Sequence, residues 1–363
     1  METIEVLYVP EHPKDRLEVL KREDRNIAFL AKRSEREGRI PSGAEFDRRF
    51  RALRMYLDWM QANLEMTPKI KAQTNMDQYL RLMFEKPETY RFPEDIRDKA
   101  KALYDEWSNE NWGADAVDED EAAATAAYEE AGAGAPPAGE TPTTHVVLPA
   151  RNDPIFGEGG ILYGVYKTRG PKGGITYTVN GAVKRNAKVF GHNGIAPGTW
   201  YPLQIVALAR GAHGARIAGI AGDTALGAYS IVVSDKYEDL DRDEGSRLFY
   251  SGSNSHRNDD PACPAESSTG TKALKASLNN GHPVRVLRSG GPGSKNRWAP
   301  DRGIRYDGLY RVVRRLTPLN TRGGMYEQFE LRRLEGQEPL KDICKRSPTP
   351  QQKFDWDRIQ QGS

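Results

Sequence analysis

Residues 113–145, GADAVDEDEAAATAAYEEAGAGAPPAGETPTTH, divide the chain. They carry eight Asp/Glu, no Lys or Arg, and almost no large apolar side chain. A stretch of this kind cannot bury enough surface to offset the entropy of ordering it, so an acidic disordered linker is expected there. Folding must then happen on either side of it, and 363 residues suit about two domains. The charge follows the same division. Residues 1–112 are nearly neutral, with 21 basic and 22 acidic side chains, whereas residues 146–335 hold 27 Lys/Arg against 17 Asp/Glu. A basic segment points to a polyanionic partner, and an ordinary surface excess would look the same; charge alone leaves both open.

Cys263 and Cys344 are the only cysteines. A disulfide framework is not available, and an intracellular protein is expected. A RING needs about eight clustered Cys/His ligands, but the six histidines are scattered and no CxxC or HxxxH pair occurs. No metal and no cofactor is expected. No apolar run approaches the roughly 18 residues of a membrane span, and no secretory signal pattern opens the chain.

Residues 1–112 read as a helical bundle. Over 15–38, Leu17, Leu20, Ile27, Leu30 and Ala31 recur near helical spacing opposite a charged face. Gly38 and Pro41 stop that run. Phe46, Phe50, Leu53, Leu57 and Met60 form a second stripe, which Ser42 and Glu45 would open as a capping box. Two more helices are expected over 75–87 and 92–111, the last with Pro93 in its first turn. Tyr56, Trp59, Tyr104 and Trp107 stand at i and i+3, a spacing that predicts core. The end of this segment is similar to the helical modules at the N-termini of transcription-elongation factors, through one Pro-initiated helix ending in a Trp. The likeness implies chromatin or transcription proteins as partners of the bundle and assigns no residues.

From residue 146 glycine becomes frequent and short β-rich runs appear: ITYTVNGA, TWYPLQIVALA, AYSIVVS, RLFYSGS, PVRVLRS, YRVVRRL and MYEQFELRRL. Their punctuation by Gly, Pro, Asn and Asp predicts a β-barrel or sandwich with accessory helices, TKALKASLNNG among them. The expected chain is α+β and multidomain: a helical bundle at 1–112, the linker at 113–145, a β-rich domain at 146–338 and a polar, loosely held tail at 339–363.

Five blocks of the basic segment stand in a telling order: VFGHNGIAPGTWYP at 189–202, IAGIAG, AYSIVVSDKYEDLD, FYSGS, and PVRVLRSGGPGSKNRWAPDRGIRYDGLYRVV at 283–313. Together they resemble the SRA domain, named YDG after the tripeptide found here as Tyr306-Asp307-Gly308. The resemblance implies a curved β-barrel with flanking helices and a nuclear reader of double-stranded DNA carrying 5-methylcytosine. Such a reader rotates the modified nucleotide out of the duplex into a pocket, at a cost of a few kcal/mol of lost stacking.

The pocket residues follow from that resemblance. Tyr237 and Tyr250 match the two rings that sandwich the base, a contact of roughly 1–3 kcal/mol. Ser251, Gly252 and Ser253 match the pocket wall. An acid reads the exocyclic amine of cytosine; Asp241 is placed first for it and Asp239 second, because the tyrosine-to-tyrosine distance is one residue longer than usual. The alternative is two strand aromatics and a solvated acidic turn. Ile217 matches the apolar wedge that fills the vacated duplex. Arg257 is the only basic side chain in the second inserting loop, either contacting guanine or lying free on the surface. The usual Asn-Lys-Arg finger is absent, so the family's preference for hemimethylated CpG does not carry over by resemblance, and hemimethylated versus fully methylated DNA stays open. Phosphate contacts are expected from Arg285, Arg288, Lys295, Arg297, Arg302 and Arg305. Tyr306, Asp307 and Gly308 are expected to be structural, with Asp307-Gly308 in a tight turn, and so is His192.

The family occurs fused to RING ubiquitin ligases, histone methyltransferases and modification-dependent nucleases. Neither a RING nor the zinc-rich methyltransferase segment fits two cysteines, and Pro93-Glu94-Asp95 with Lys99 matches a nuclease core only outside its strand context. The expected function is a DNA reader without catalytic activity of its own. The alternatives are a modification-dependent nuclease with its catalytic part in residues 1–112, and a chromatin docking module.

Overall fold

The computed structural model describes residues 3–10, 13–110, 112, 143–169, 175–234, 239–252, 255–256, 258–291 and 293–361. Nearly all of the acidic linker, 113–142, lies outside the described residues. The chain forms two compact units, one of residues 1–148 with 166–181, the other of 149–165 with 182–363.

The first unit is built on α1 (Pro13–Glu37), α2 (Ala44–Asn63), α3 (Pro68–Thr74), α4 (Met76–Phe84) and α5 (Glu94–Asn109). Their apolar stripes meet in one core that includes Leu20, Ile27, Leu30, Leu53, Tyr56, Leu57, Met60, Leu80, Ile96, Leu103 and Trp107. The capping box expected at Ser42 and Glu45 does not form. Gly43 is the N-cap of α2 and no side chain caps it; Ser42 Oγ accepts from Arg39, and Glu45 pairs with Arg49 one turn on. Helix α3 shows no long apolar stripe; its capping residue Thr67 accepts from Ile70 N, and Pro68 starts it. Tyr56 is buried and donates to Asp24 Oδ1 at 3.3 Å, and burial raises the Asp24 carboxyl well above the ordinary carboxylate range. Two strand pairs complete the unit. β1 (Thr3–Leu7) pairs antiparallel with β2 (Thr143–Val147), and β3 (Val165–Arg169) pairs with β4 (Ile175–Val179). Asn63, at the end of α2, accepts from Val179 N at 2.8 Å.

The second unit carries the main sheet. Its elements in chain order are β5 (Trp200–Tyr201), α6 (Gln204–Ala209), β6 (Ile220–Asp223), β7 (Gly227–Val233), β8 (Arg242–Asp243), β9 (Arg247–Ser251), α7 (Thr269–Asn280), β10 (Val284–Gly290), β11 (Gly303–Leu316), β12 (Gln328–Arg333), α8 (Leu340–Arg346) and α9 (Pro350–Gln360). The strands join in the order β6-β7-β10-β11-β12-β9-β8, with β5 also on β11; β7 and β10 run parallel and the other pairs antiparallel. No pairing closes this path into a barrel among the described residues. Helix α7, capped by Ser268 and ended by Gly281 in the left-handed region, lays Ala273 and Leu274 against Ile231, Val284, Val286 and Phe329.

The tail expected to be loosely held is ordered into α8 and α9. Leu340, Ile343 and Trp356 are buried. Thr349 and Gln352 cap α9 reciprocally, and Ser347 Oγ donates to Gly198 O at 2.6 Å. A polar composition concealed this, because only three apolar side chains are needed to anchor two short helices.

Candidate nucleic-acid interface

Strand β9 turns successive side chains to opposite faces, and this separates Tyr250 from Ser251. Tyr250 joins the core beside Leu248, Val286 and Phe329 and is 6% exposed. Its hydroxyl donates to Val232 O at 3.1 Å and Gly219 O at 3.3 Å. Ser251 addresses Asp241, whose Oδ1 accepts from the Ser251 N–H at 2.7 Å and from its hydroxyl at 2.6 Å. Among the described residues Asp241 Oδ2 carries no hydrogen bond. The preceding carbonyl, Leu240 O, is held by Gln328 Nε2 at 2.7 Å. Asp239, by contrast, is exposed and lies 3.4 Å from His256 Nδ1. Tyr237, Ser253 and Arg257 lie outside the described residues. Gly252 is described and buried: its N–H donates to Glu327 O at 2.8 Å, and a Cβ there would meet Thr271 Oγ1 at 2.7 Å.

Burial pushes the Asp241 carboxyl up to about 7, against the Ser251 hydrogen bonds and with help from the charges of Asp243 and Asp239. The sign for stability follows. A carboxyl raised above its unfolded value of 3.8 favours folding in its protonated form, so its contribution is complete below about pH 4 and is lost as pH rises through 7. Asp241→Asn should therefore gain in melting temperature relative to the parent between pH 5 and pH 8. A parallel pair of pH–Tm curves would contradict this.

Two residues beyond Asp241 begins a buried ionic network that the sequence did not reveal. Asp243 accepts from Arg288 Nε at 2.7 Å, Arg288 Nη2 at 2.8 Å and Asn296 Nδ2 at 2.8 Å. Burial opposes that charge, but Arg288 keeps the Asp243 carboxyl below the ordinary range. Arg288 Nη1 reaches Asp307 Oδ2 at 3.0 Å, and Asp307 also accepts from Arg305 Nε at 2.5 Å. Arg288, Arg305 and Asp307 are all essentially inaccessible to solvent. Arginine suits such a hub because its planar fork donates in several fixed directions.

Asp307-Gly308 therefore does not form the expected tight turn. It lies inside β11, opposite a register shift between Val286 and Leu287 of β10. Gly308 has φ +114°, and a Cβ there would sit 2.4 Å from Gln337 Oε1, so only glycine suits this bulge. Tyr306 is buried and its hydroxyl lies 2.7 Å from His192 Nδ1, consistent with a structural histidine.

The loop before β6 presents Ile217 at 39% exposure. Its base is pinned by Gln204 Nε2, which donates to Ala215 O and Ala218 O, and by buried His213, whose Nε2 lies 2.8 Å from Ala218 O. Burial pushes His213 down to about 4, so it is neutral at pH 7.

Three expected phosphate contacts are corrected. Arg285 is fully buried and donates to the carbonyls of Ala187, Val189, Gly191 and Ala212. Arg288 and Arg305 belong to the network above. None can reach a phosphate, since each guanidinium is already saturated inside the fold. Arg285 and Arg288 lie in PVRVLRS, whose apolar residues fill a central strand, but that run does not tell an inward arginine from an outward one. Arg302 is half-buried and paired with Asp357. Lys295 and Arg297 remain at the surface, Arg297 lying 4.9 Å over the Trp298 ring.

The family model of the SAD/SRA domain matches residues 189–337. This part of the chain is a SAD/SRA domain. Curated relatives match parts of the chain. E3 ubiquitin-protein ligase ORTHRUS 2 of Arabidopsis thaliana is 38% identical over 109 residues, 28% of this chain and 17% of that protein. E3 ubiquitin-protein ligase UHRF1 of Xenopus laevis is 30% identical over 161 residues, 39% of this chain and 21% of that protein. A UHRF1-like protein of Cryptococcus neoformans is 32% identical over 180 residues, 43% of this chain and 49% of that protein. The matches thus span half or less of each relative. Among solved structures, the SUVH5 SRA complex with methylated CHH DNA is 29% identical over 42% of this chain and 97% of that one, with a TM-score of 0.35.

These relatives overturn one expectation. A reader without catalytic activity was expected, yet ORTHRUS 2 and UHRF1 are named as ubiquitin ligases, which are enzymes. The matched stretches cover 17% and 21% of those two proteins, and the cysteines and histidines of this chain say nothing of the rest of them. Among the described residues no helix is long and apolar enough to cross a membrane.

Proposed function

We propose that the SAD/SRA domain binds double-stranded DNA carrying 5-methylcytosine and draws the modified base out of the duplex, to be held beside Asp241. The single observation that carries this is the Asp241 carboxyl. It is largely desolvated, anchored through Oδ1 by Ser251, and without a hydrogen bond at Oδ2 among the described residues, so an exocyclic amine has one acceptor waiting.

In this reading Tyr237 is the stacking ring, with Ser251, Gly252 and Ser253 around the 5-methyl group; Tyr250, expected as the second ring, is packed in the core on the opposite face of β9 and instead fixes the strand that carries Ser251. Gly219 links Tyr250 to the wedge loop, since its carbonyl accepts from Tyr250 and it lies two residues after Ile217. Ile217 would fill the space the base leaves. Lys295 and Arg297 would meet phosphate, and Arg257 the inserting-loop position. In ligase-type relatives a domain of this kind would bring the activity of the whole protein to modified DNA in the nucleus, and the same targeting role is proposed here.

Titrating the full chain with matched unmethylated, hemimethylated and fully methylated duplexes at one salt concentration tests the reading, since phosphate contacts otherwise dominate affinity. A methylated duplex should bind most tightly. Equal affinity for all three would refute it.

A further inference from the structure

The solvent face of β8, β9, β12 and β11 has a charge pattern that the base pocket does not use. Register aligns Arg242, Phe249, Glu330 and Arg314 in one row across these four strands. Arg247, Arg332 and Arg311 form the next row across three of them. Both rows lie opposite Leu248, Leu331 and Val312, which face the core.

Three guanidiniums converge on one carboxylate. Glu330 is 1% exposed, and Arg247, Arg314 and Arg332 each donate to it through Nε, at 2.8, 3.0 and 3.0 Å. Arg247 first, with Arg332 and Arg314, holds its carboxyl down to about 2. Arg242 turns its Nε to Glu244 at 3.0 Å, and Arg242 and Arg247 both lie over the Phe249 ring, at 4.0 and 4.6 Å. A guanidinium that spends Nε on a carboxylate keeps terminal N–H groups for another acceptor. Five arginines against Glu330 and Glu244 leave an excess of three positive charges on this face. Like charges directly opposite one another across strands are destabilising, and Arg247, Arg332 and Arg311 are three in a row. An array that served stability alone would alternate sign.

We propose that this face binds the phosphodiester backbone of duplex DNA, as a contact separate from the base pocket. The strip begins at Arg242, the residue after Asp241, so one duplex could engage both. A duplex offers a dense and already ordered line of oxyanions, whereas an acidic peptide would first have to be ordered at an entropic cost.

The test uses the full chain and an unmethylated duplex titrated across a range of salt. The double variant Arg311→Gln/Arg332→Gln should make the slope of log affinity against log salt shallower by about 2, at roughly 0.9 for each phosphate no longer neutralised. Affinity for methylated and unmethylated duplex should fall by the same factor, leaving their ratio unchanged. Arg311 pairs with no acid among the described residues, so Arg311→Gln alone leaves the Glu330 hub intact; it should lower the slope by about 1. An unchanged slope in both variants overturns the proposal. So does a reduction confined to methylated duplex, or a loss of polyglutamate binding with DNA binding intact, which would assign the face to an acidic protein. Absence of methyl preference in the parent would sink the pocket reading and leave this test untouched.

Discussion

Asp241→Ala is expected to erase the preference for methylated over unmethylated duplex while weak, salt-sensitive binding persists. The variant removes the acceptor offered to the cytosine amine. A hydrogen bond to a charged group is worth about 1.5–3 kcal/mol, so methylated-duplex affinity should fall roughly 10- to 100-fold. Flipping costs a few kcal/mol, and without that bond the base has little reason to leave the stack. Tyr237→Ala should do the same by removing one stacking surface. Asp239→Ala is the control that separates the two acids: Asp239 is exposed and next to His256, so its loss should leave discrimination intact. Binding titrations at fixed salt read all three. If Asp241→Ala and Tyr237→Ala both discriminate like the parent, the pocket is elsewhere.

The second large effect is on stability. Asp307→Ala should cost about 3–5 kcal/mol, because it leaves Arg288 and Arg305 with uncompensated charge in the interior. In a unit of this size that lowers the melting temperature by roughly 10 °C. Asp307→Asn keeps an oxygen acceptor for the guanidiniums and should cost less. The effect should reach the proposed pocket, since Arg288 is shared between Asp307 and the Asp243 clamp beside Asp241. Thermal unfolding followed by circular dichroism decides it: a shift under about 2 °C for Asp307→Ala would show that the network is not a stability element. The family's own tripeptide then has a physical meaning here. Its aspartate joins two buried arginines, and its glycine permits the bulge at which β11 passes Gln337.

Several parts of this were legible from residues alone. The stripes of Leu20, Ile27 and Leu30, and of Phe50, Leu53, Leu57 and Met60, announce α1 and α2, since a helical period is written in local spacing. The same holds for α7, where Ser268 and Gly281 mark both ends. The tyrosine-to-tyrosine spacing put Asp241 ahead of Asp239, and the structure buries the first against Ser251 and exposes the second; which of them meets a base is what the variants above test. Other features left no such trace. Strand β1 pairs with β2 about 140 residues away, and no window of sequence contains both.

Composition set the acidic tract at 113–145 apart, and the order of five short blocks marked one part of the chain as resembling an SRA domain. Those are local properties, and a chain carries them before it folds. The compact units do not divide at that tract: β1, before it, pairs with β2, at its end, and residues 166–181 join the first unit. The fate of each arginine was settled only in three dimensions. Arg285, Arg288 and Arg305 look from the sequence like the other basic residues of the segment, yet they end inside it. Arg305 and Asp307 are two residues apart, but other partners lie at long range: Arg288 reaches Asp243 and Asp307, 45 and 19 residues away. Arg311, Arg314 and Arg332 end outside because β11 and β12 turn their neighbours Val312 and Leu331 inward. Burial of a charge depends on which distant groups can satisfy it, and that information exists only in the assembled sheet.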